Sequence, residues 1–319
     1  MNMKNFAITG VAGYIAPRHL EAIHTTGNRL IAAVDPHDSV GILDRYSHEC
    51  SFFTEIERFD RHLERLKRSS TRPSLDYLTI CSPNYLHDAH IRLALRLGAH
   101  AICEKPLVAN PWHLDALQEL EGESDHKVFT ILQVRLHPSI IKLKERIKAQ
   151  QSNKKHQVIL TYCTSRGPWY NYSWKGDIDK SGGVATNIGI HFFDLLIWLF
   201  GEVQQNILHL NEPNRTAGFI ELKDANVQWF LSTDKKDLPD HTKKEGKPTF
   251  RSISIDGDEV EFSEGFTDLH TLSYQKILEG NGFGMDDARS SIELVHQIRG
   301  AKVSPQGDSV HPFLKQVVK

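Results

Sequence analysis

The stretch Phe6-Ala-Ile-Thr-Gly10-Val-Ala-Gly13-Tyr-Ile-Ala16 decides the fold of this chain. Its first residues predict a buried strand, and the spacing G-x-x-G-x-x-A then leads into a helix. Gly10 allows a tight strand-to-helix turn, Gly13 lets a pyrophosphate come close to the backbone, and Ala16 permits close packing of helix on strand. The pattern therefore predicts a helix N-terminus that faces phosphate groups.

The second predicted strand ends in Asp35, 25 residues after Gly10. A carboxylate near this spacing binds the adenosine ribose hydroxyls of a dinucleotide and repels a ribose phosphate, so the sequence favours NAD over NADP. Tyr14 and Ile15 complete the predicted cofactor turn. The alternative is that Asp35 only caps a turn.

Outward from this stretch, the first third alternates strand-like and helical segments, which predicts an α/β Rossmann domain with a doubly wound parallel sheet over residues 1–133. Strands with period-two alternation then predict a C-terminal α+β domain with a mostly antiparallel open sheet over residues 134–319. The predicted strands are residues 6–9, 29–34, 77–81, 100–103 and 127–133, then 157–163, 203–210, 226–232 and a hairpin within 251–262. The predicted helices are residues 17–26, 59–68, 87–97, 111–121, 138–148, 187–200, 269–279 and 287–300.

Composition excludes several classes of protein. The 38 basic and 40 acidic residues are interspersed, which argues against a nucleic-acid partner or an anionic membrane surface. The four cysteines lie far apart and the 18 histidines are scattered, so we expect no metal site. The first residues lack the features of a signal peptide, and residues 192–200, the longest apolar stretch, are far shorter than the ~20 residues of a membrane span. We expect a cytoplasmic protein.

Polar residues follow two of the predicted parallel strands at the points where the strands end. Ser82, Pro83, Asn84 and His87 follow one strand, and Glu104 and Lys105 follow the next. Ligands of such sheets bind at the carboxyl ends of the strands, so we expect these residues to contribute to the cofactor site.

A helix in the second half carries three polar residues among apolar ones. Asn187, His191 and Asp194 stand at positions i, i+4 and i+7, which share one face of an α-helix. The alternative for His191 is a core histidine that Asp194 satisfies. The three together indicate a polar site on this face.

These residues together resemble the glucose-fructose oxidoreductase / inositol dehydrogenase (Gfo/Idh/MocA) family of NAD(P)-dependent sugar oxidoreductases, over nearly the whole chain. The resemblance implies that Lys105 contacts the reacting hydroxyl, that His191 is its catalytic partner, and that Glu104 helps to position the lysine. An imidazole titrates near neutral pH, which favours His191 as proton acceptor and Lys105 as electrostatic partner. The reverse assignment stays open, because burial beside a cation lowers the pKa of a lysine.

Within that family, residues 10–19, 164–170 and 173–177 are similar to the UDP-N-acetylglucosamine-uronate (UDP-GlcNAcA) 3-dehydrogenases. The resemblance implies NAD-dependent oxidation of the C3 hydroxyl of a UDP-sugar uronate, in the synthesis of diacetamido uronic acid sugars for lipopolysaccharide O-antigen. Cationic and aromatic side chains suit such a substrate, because they bind a carboxylate or diphosphate and offer flat faces to a sugar or base. An exposed loop is the alternative. The predicted substrate-binding residues are Lys105, Arg166, Tyr170, Trp174, Lys175, Asn187, His191, Asp194 and Arg299.

Some enzymes that this chain resembles re-oxidise NADH with 2-oxoglutarate, which makes 2-oxoglutarate a candidate partner. Members of the family assemble through the open face of the second sheet, so we expect a homotetramer, with a dimer as the alternative. Two rival functions remain open: a dehydrogenase of the same family that acts on a free sugar or inositol, and a non-catalytic NAD-binding regulator that has kept the fold.

Overall fold

The structure, a computed structural model, describes residues 3–71, 73–149, 154–260, 268–304, 307 and 309–317. The chain divides into two compact units, Met1–Leu136 with Gly265–Arg289, and His137–Glu264 with Ser290–Lys319. The sequence predicts that the chain crosses once from the first domain to the second, near residue 134. In the structure the chain crosses between the units three times, because residues 265–289 return to the first unit.

The sheet of the first unit is wholly parallel and has six strands. The strands are β1 (Asn5–Thr9), β2 (Arg29–Val34), β3 (Ser51–Phe53), β4 (Tyr77–Ile80), β5 (His100–Cys103) and β6 (Val128–Thr130). Their order in the sheet is β3-β2-β1-β4-β5-β6, which reverses direction between β1 and β4. This is the doubly wound order of dinucleotide-binding sheets, so the predicted fold class of this unit is confirmed.

Twelve α-helical segments lie in the described part of the chain. They are α1 (Ala16–Thr25), α2 (Ile56–Lys67), α3 (His87–Leu97), α4 (Pro111–Gly122), α5 (Pro138–Ala149), α6 (Trp169–Tyr172), α7 (Ile178–Ser181), α8 (Ile190–Phe200), α9 (Asp240–Lys244), α10 (Leu269–Leu278), α11 (Met285–Gly300) and α12 (Pro312–Val317). In the first unit, Tyr274 and Ile277 of α10 pack into the same core as Phe6 of β1 and Leu20 of α1. This packing explains why residues 265–289 belong to the first unit.

The sheet of the second unit is mixed and mostly antiparallel, as predicted. Its strands are β7 (His156–Thr164), β8 (Val203–Glu212), β9 (Arg215–Leu222), β10 (Ala225–Ser232), β11 (Thr249–Ile255) and β12 (Asp258–Glu259), in the order β12-β11-β7-β10-β9-β8. Only β7 and β10 pair in parallel among these described strands. The predicted hairpin turns at Asp256 and Gly257, and its last residues, 261 and 262, lie outside the described residues.

Helix α8 packs against one face of this sheet, where Phe193 contacts Trp229 of β10. The helical stretch Ile178–Phe200 is long and apolar enough to cross a membrane, but 72% of its most apolar window is buried inside the protein. Burial of this kind is typical of a core helix.

Candidate functional site

The predicted cofactor turn lies between β1 and α1. Gly10 has a φ of +74°, and a Cβ at this position would lie 2.5 Å from the carbonyl oxygen of Cys81, directly after β4. A Cβ at Gly13 would lie 3.0 Å from the carbonyl oxygen of Gly10. Tyr14 is 93% exposed, and Ile15 packs against the core of the unit. The turn is therefore as tight as a dinucleotide-binding loop requires, and its residues fit NAD.

Asp35 follows β2 and is buried. One of its carboxylate oxygens accepts a hydrogen bond from the backbone N–H of Ala12 at 3.0 Å, and the other accepts one from the N–H of His37 at 2.9 Å. These bonds tie the end of β2 to the glycine turn, so Asp35 does cap a turn. Each carboxylate oxygen has a further lone pair, which leaves the group able to accept a ribose hydroxyl as well.

Ser82, Asn84 and His87 lie buried where β4 leads into α3. The Nδ1 atom of His87 lies 2.7 Å from the carbonyl oxygen of Pro106, and its Nε2 atom lies 2.8 Å from that of Ser82. His87 is 1% exposed and both ring nitrogens face backbone oxygens, and its contact with the cofactor stays a prediction. His87 holds the loop after β4 against the loop after β5. Ser82 Oγ lies 2.8 Å from His90 Nδ1.

Glu104 and Lys105 directly follow β5. Glu104 is 6% exposed, and its Oε1 atom lies 2.9 Å from His19 Nε2 and 3.1 Å from His270 Nε2. Burial raises the pKa of Glu104, but the hydrogen bonds from the two histidines outweigh burial and hold the pKa well below its usual range. The carboxylate is buried against these two histidines, and the contact of Glu104 with the cofactor stays a prediction. Lys105 is half-buried.

In the second unit, Asn187 lies in a π-helical turn, Ala185–Gly189, that runs into α8. The predicted spacing of Asn187, His191 and Asp194 assumes a continuous α-helix, which the structure corrects. A π-turn contains more residues than an α-turn, so the rotation between Asn187 and His191 differs from that of an α-helix. The Nδ2 group of Asn187 donates to the Tyr170 hydroxyl at 2.6 Å.

His191 is half-buried at the start of α8, and Asp194 is buried one turn further on. The His191 ring lies edge-on to Tyr162 of β7, with the ring centroids 6.0 Å apart. Tyr162 was not predicted as a site residue, because its alternating position in a strand carries no signal of a site. Of the three predicted polar residues, only His191 and Asn187 retain partial exposure.

Lys175 lies among aromatic rings in the segment between β7 and α7. Its Nζ atom lies 4.5 Å from the ring centroid of Trp174 and 5.8 Å from that of Trp169. Burial lowers the pKa of Lys175, and the charge of Arg166 lowers it further. Two cations close to each other repel, so an anion bound beside Arg166 and Lys175 would be stabilised. The structure thus brings the predicted cationic and aromatic residues together.

Arg299 lies on α11, where its Nη2 atom is 3.0 Å from His296 Nδ1. Burial lowers the pKa of Arg299, and the charge of Asp179 opposes that effect. Arg299 is therefore partly withdrawn from solvent, as a residue that binds an anion would be.

His19, His270 and Tyr274, which lie around Glu104, were not predicted from the sequence. A signal existed for His19, because it stands on the apolar face of α1 with Ala16 and Ile23, where a histidine needs a polar partner. His270 and Tyr274 are one helical turn apart on α10, but nothing in the sequence placed that helix beside β5.

A doubly wound sheet, a turn after β1 in which only glycine fits at position 10, and an acidic residue after the second strand define a dinucleotide-binding protein of the Rossmann class. Comparison with known proteins agrees. Residues 4–131 match the oxidoreductase family with an NAD-binding Rossmann fold (Gfo/Idh/MocA), and residues 154–238 match the C-terminal alpha/beta domain of that family.

Two solved structures of the WlbA (WbpB) dehydrogenase from Thermus thermophilus are similar to the whole chain. One, in complex with NAD and alpha-ketoglutarate, is 50% identical with a TM-score of 0.94, covering 98% of this chain and 100% of that chain. The other, in complex with NAD and UDP-GlcNAcA, is 50% identical with a TM-score of 0.93 and the same coverage, 98% and 100%. The chain therefore belongs to the Gfo/Idh/MocA oxidoreductase family.

Curated relatives match over shorter stretches. The myo-inositol 2-dehydrogenase of Thermotoga maritima is 27% identical over 135 residues, which is 42% of this chain and 39% of that protein. The oxidoreductase YgjR of Escherichia coli is 26% identical over 205 residues, which is 63% of this chain and 59% of that protein. The chain thus spans less than two thirds of these relatives' length.

Proposed function

We propose that this chain oxidises the C3 hydroxyl of UDP-N-acetyl-D-glucosaminuronate to the 3-keto sugar with NAD as hydride acceptor. The observation that carries the proposal is the 50% identity, over 98% of the chain, to a dehydrogenase whose structures contain NAD and UDP-GlcNAcA. The cationic and aromatic group around Lys175 supports it, because a free polyol has no anionic group for Arg166 and Lys175 to bind.

The first unit supplies the residues that would hold NAD. The backbone of the Gly10–Gly13 turn and the N-terminus of α1 bind the pyrophosphate, and Asp35 accepts the ribose hydroxyls. His87 and Glu104 hold the loops after β4 and β5 in place. Bound NAD supplies the acceptor for the hydride that leaves C3.

The reaction removes a hydride from C3 and a proton from its hydroxyl group. Lys105 and His191 act on that hydroxyl, one as proton acceptor and the other as stabiliser of the developing negative charge. Because Asn187 donates to the Tyr170 oxygen, the Tyr170 proton is directed to another acceptor, and burial raises the pKa of Tyr170 so that this proton is retained. Tyr170 and Asn187 thus offer hydrogen bonds to the sugar.

Arg166 and Lys175 bind the uronate carboxylate or the diphosphate, and Trp174 gives a flat face for the sugar or base. Arg299 is a further anion contact. Asp194 is buried on α8, and we assign it to orienting His191 or a sugar hydroxyl.

Three further properties belong to this proposal. The alpha-ketoglutarate in the T. thermophilus structure supports 2-oxoglutarate as a second substrate, which takes the hydride from NADH and a proton to give 2-hydroxyglutarate. A homotetramer is expected, because the sheet face opposite α8 leaves three apolar side chains partly exposed in one row across the strands: Ile207 of β8, Phe219 of β9 and Ile159 of β7. Light scattering after gel filtration separates a tetramer from a dimer. We place the enzyme in the cytoplasm.

The test is to mix the protein with NAD and UDP-GlcNAcA and follow NADH, with UDP-N-acetylglucosamine and myo-inositol as controls, with and without 2-oxoglutarate. Reduction of NAD with UDP-GlcNAcA, and with neither of the two control compounds, supports the proposal. Reduction with inositol favours the free-polyol dehydrogenase, and reduction with none of the three favours the NAD-binding regulator.

Variants test the catalytic pair. Lys105→Ala and His191→Ala should each abolish turnover and leave NAD affinity intact, whereas His241→Ala, an exposed histidine of the second unit, should change neither. Wild-type turnover by Lys105→Ala would contradict the assignment.

A further inference from the structure

Tyr162 lies where the core of the second unit opens to solvent. On the face of β7 that α8 covers, the preceding residues Val158 and Leu160 are buried, whereas Tyr162 is partly exposed. The Tyr162 ring packs against the Phe192 ring of α8, with the centroids 4.9 Å apart, and edge-on to the His191 ring. The helix that carries His191 therefore also holds the Tyr162 ring in place.

The hydroxyl group of Tyr162 is available to a ligand. It makes no hydrogen bond to any residue that the structure describes, and it is not enclosed by protein atoms. A phenol has one proton to donate, and a phenol that is partly withdrawn from water usually finds a hydrogen-bond partner. A bound substrate can supply that partner.

Two further donors lie close to Tyr162. Burial raises the pKa of Tyr170, and the hydrogen bond from Asn187 opposes that effect. The charge of Arg166 lowers the same pKa and an ionised Tyr162 would raise it, so both groups lie within electrostatic reach of the Tyr170 oxygen. That oxygen already accepts from Asn187 at 2.6 Å, which leaves the Tyr170 proton to be donated elsewhere. One guanidinium and two phenols thus share this part of the second unit.

These three donors fit a carboxylate. A carboxylate has two oxygens with about four lone pairs and no proton, so it can accept from a guanidinium and two hydroxyl groups at once. Hydrogen bonds to an ionised acceptor are shorter and stronger than those to a neutral one. Arg166 makes no ion pair with an acidic side chain in the described part of the chain, so its charge is available to a ligand. An anionic oxygen is therefore favoured here over a neutral sugar hydroxyl.

We propose that Tyr162 binds the uronate carboxylate of the substrate, donating its phenol proton to a carboxylate oxygen beside Arg166 and Tyr170. This assignment rests on the proposed function, and it selects the carboxylate over the diphosphate as the anion beside Arg166. Tyr162 contacts His191, which in the proposed function acts at C3 of the sugar ring. The carboxylate carbon is bonded directly to that ring, whereas the diphosphate is joined to it through the glycosidic oxygen. Tyr162 thus helps to select an acidic sugar over a neutral one.

Calorimetric titration of the protein saturated with NADH tests this proposal, because the sugar then binds without being oxidised. Tyr162→Phe keeps the ring and its contacts with α8 and removes only the hydroxyl group. Its affinity for UDP-GlcNAcA should be about tenfold lower than that of wild type, the effect of one hydrogen bond to a charged group. Its affinity for UDP-N-acetylglucosamine, which has a hydroxyl group in place of the carboxylate, should equal that of wild type. Tyr46→Phe is the control, because it removes a phenol hydroxyl that donates to Glu21 in the first unit, and it should change neither affinity.

Two calorimetric outcomes overturn the proposal: an unchanged affinity of Tyr162→Phe for UDP-GlcNAcA, and an equal loss of affinity for both sugars, as expected if Tyr162 bound the diphosphate. A second measurement does not depend on turnover or on the nucleotide. The Cζ resonance of Tyr162 in wild-type protein labelled with [13Cζ]tyrosine, assigned by its absence in Tyr162→Phe, should shift on addition of D-glucuronate but not of D-glucose. No shift with D-glucuronate would overturn the proposal. Should wild type fail to oxidise UDP-GlcNAcA, the proposed function fails while this titration still decides whether Tyr162 binds a carboxylate.

Discussion

Replacing Gly10 by alanine tests the cofactor turn. The residue has a φ of +74°, where a side chain costs about 1–2 kcal/mol. The new Cβ would also lie 2.5 Å from the carbonyl oxygen of Cys81, and because that atom is backbone, relief needs a shift of the turn or of the end of β4. Overpacking of this kind costs about 1–3 kcal/mol, so the total loss of unfolding free energy is about 2–5 kcal/mol.

Gly27→Ala is the matched control, because Gly27 has a φ of +73° but no atom within 4 Å of the new Cβ. It bears only the backbone cost of about 1–2 kcal/mol. Thermal unfolding should therefore show a fall in Tm of about 5–10 °C for Gly10→Ala and about half of that for Gly27→Ala. Calorimetric titration should show at least tenfold weaker NAD binding for Gly10→Ala only. Equal Tm values together with unchanged NAD affinity would refute the close approach of the turn to β4.

Three further predictions follow from other parts of the structure. Asp35→Asn should weaken NAD binding by about tenfold and reduce the ratio of NAD affinity to NADP affinity, because the charge that repels a ribose phosphate is gone. Titration of the variant with each cofactor measures this ratio, and an unchanged ratio would refute the role of the charge. Arg166→Gln and Lys175→Gln should each raise KM for UDP-GlcNAcA by about 10–100-fold without changing NAD affinity, while Lys236→Gln, an exposed lysine of the second unit, should change neither. Burial lowers the pKa of His311 to about 4, so its protonation is less favourable in the folded state than in the unfolded state. The contribution of His311 to the unfolding free energy should therefore be nearly constant above pH 6.5 and fall by about 2 kcal/mol at pH 5. In denaturant unfolding, the unfolding free energy of His311→Gln should decrease less steeply with acid than that of the wild type.

The first unit could be predicted closely from the sequence, because its signals are local. The helix at His87–Leu97 and the strand at His100–Cys103 have the bounds that periodicity predicts. Strand β3 was missed, since three residues are too short for a period to be seen. The return of α10 to the first unit was also missed, because amphipathicity shows that a helix has a buried face but not which core it enters.

The sequence indicates which residue types belong to the candidate site better than it indicates how their side chains are arranged. The grouping of Lys175 with Trp174 follows from neighbouring positions in the chain and is present in the structure. The face shared by Asn187 and His191 was predicted with the wrong pitch, since nothing in the sequence indicates a π-turn. The histidine partners of Glu104 and the backbone partners of His87 could not be predicted, because a motif gives the identity of a residue and not the direction of its side chain.

If a hydride leaves C3 of UDP-GlcNAcA, an isotope label at that carbon moves with it to the cofactor. UDP-GlcNAcA with deuterium at C3 is incubated with the protein and NAD, and the reduced cofactor is analysed by mass spectrometry and NMR. We expect one deuterium at C4 of the dihydronicotinamide and a primary isotope effect in single-turnover formation of NADH. Reduced cofactor without deuterium, from labelled sugar that keeps its label, would contradict this mechanism.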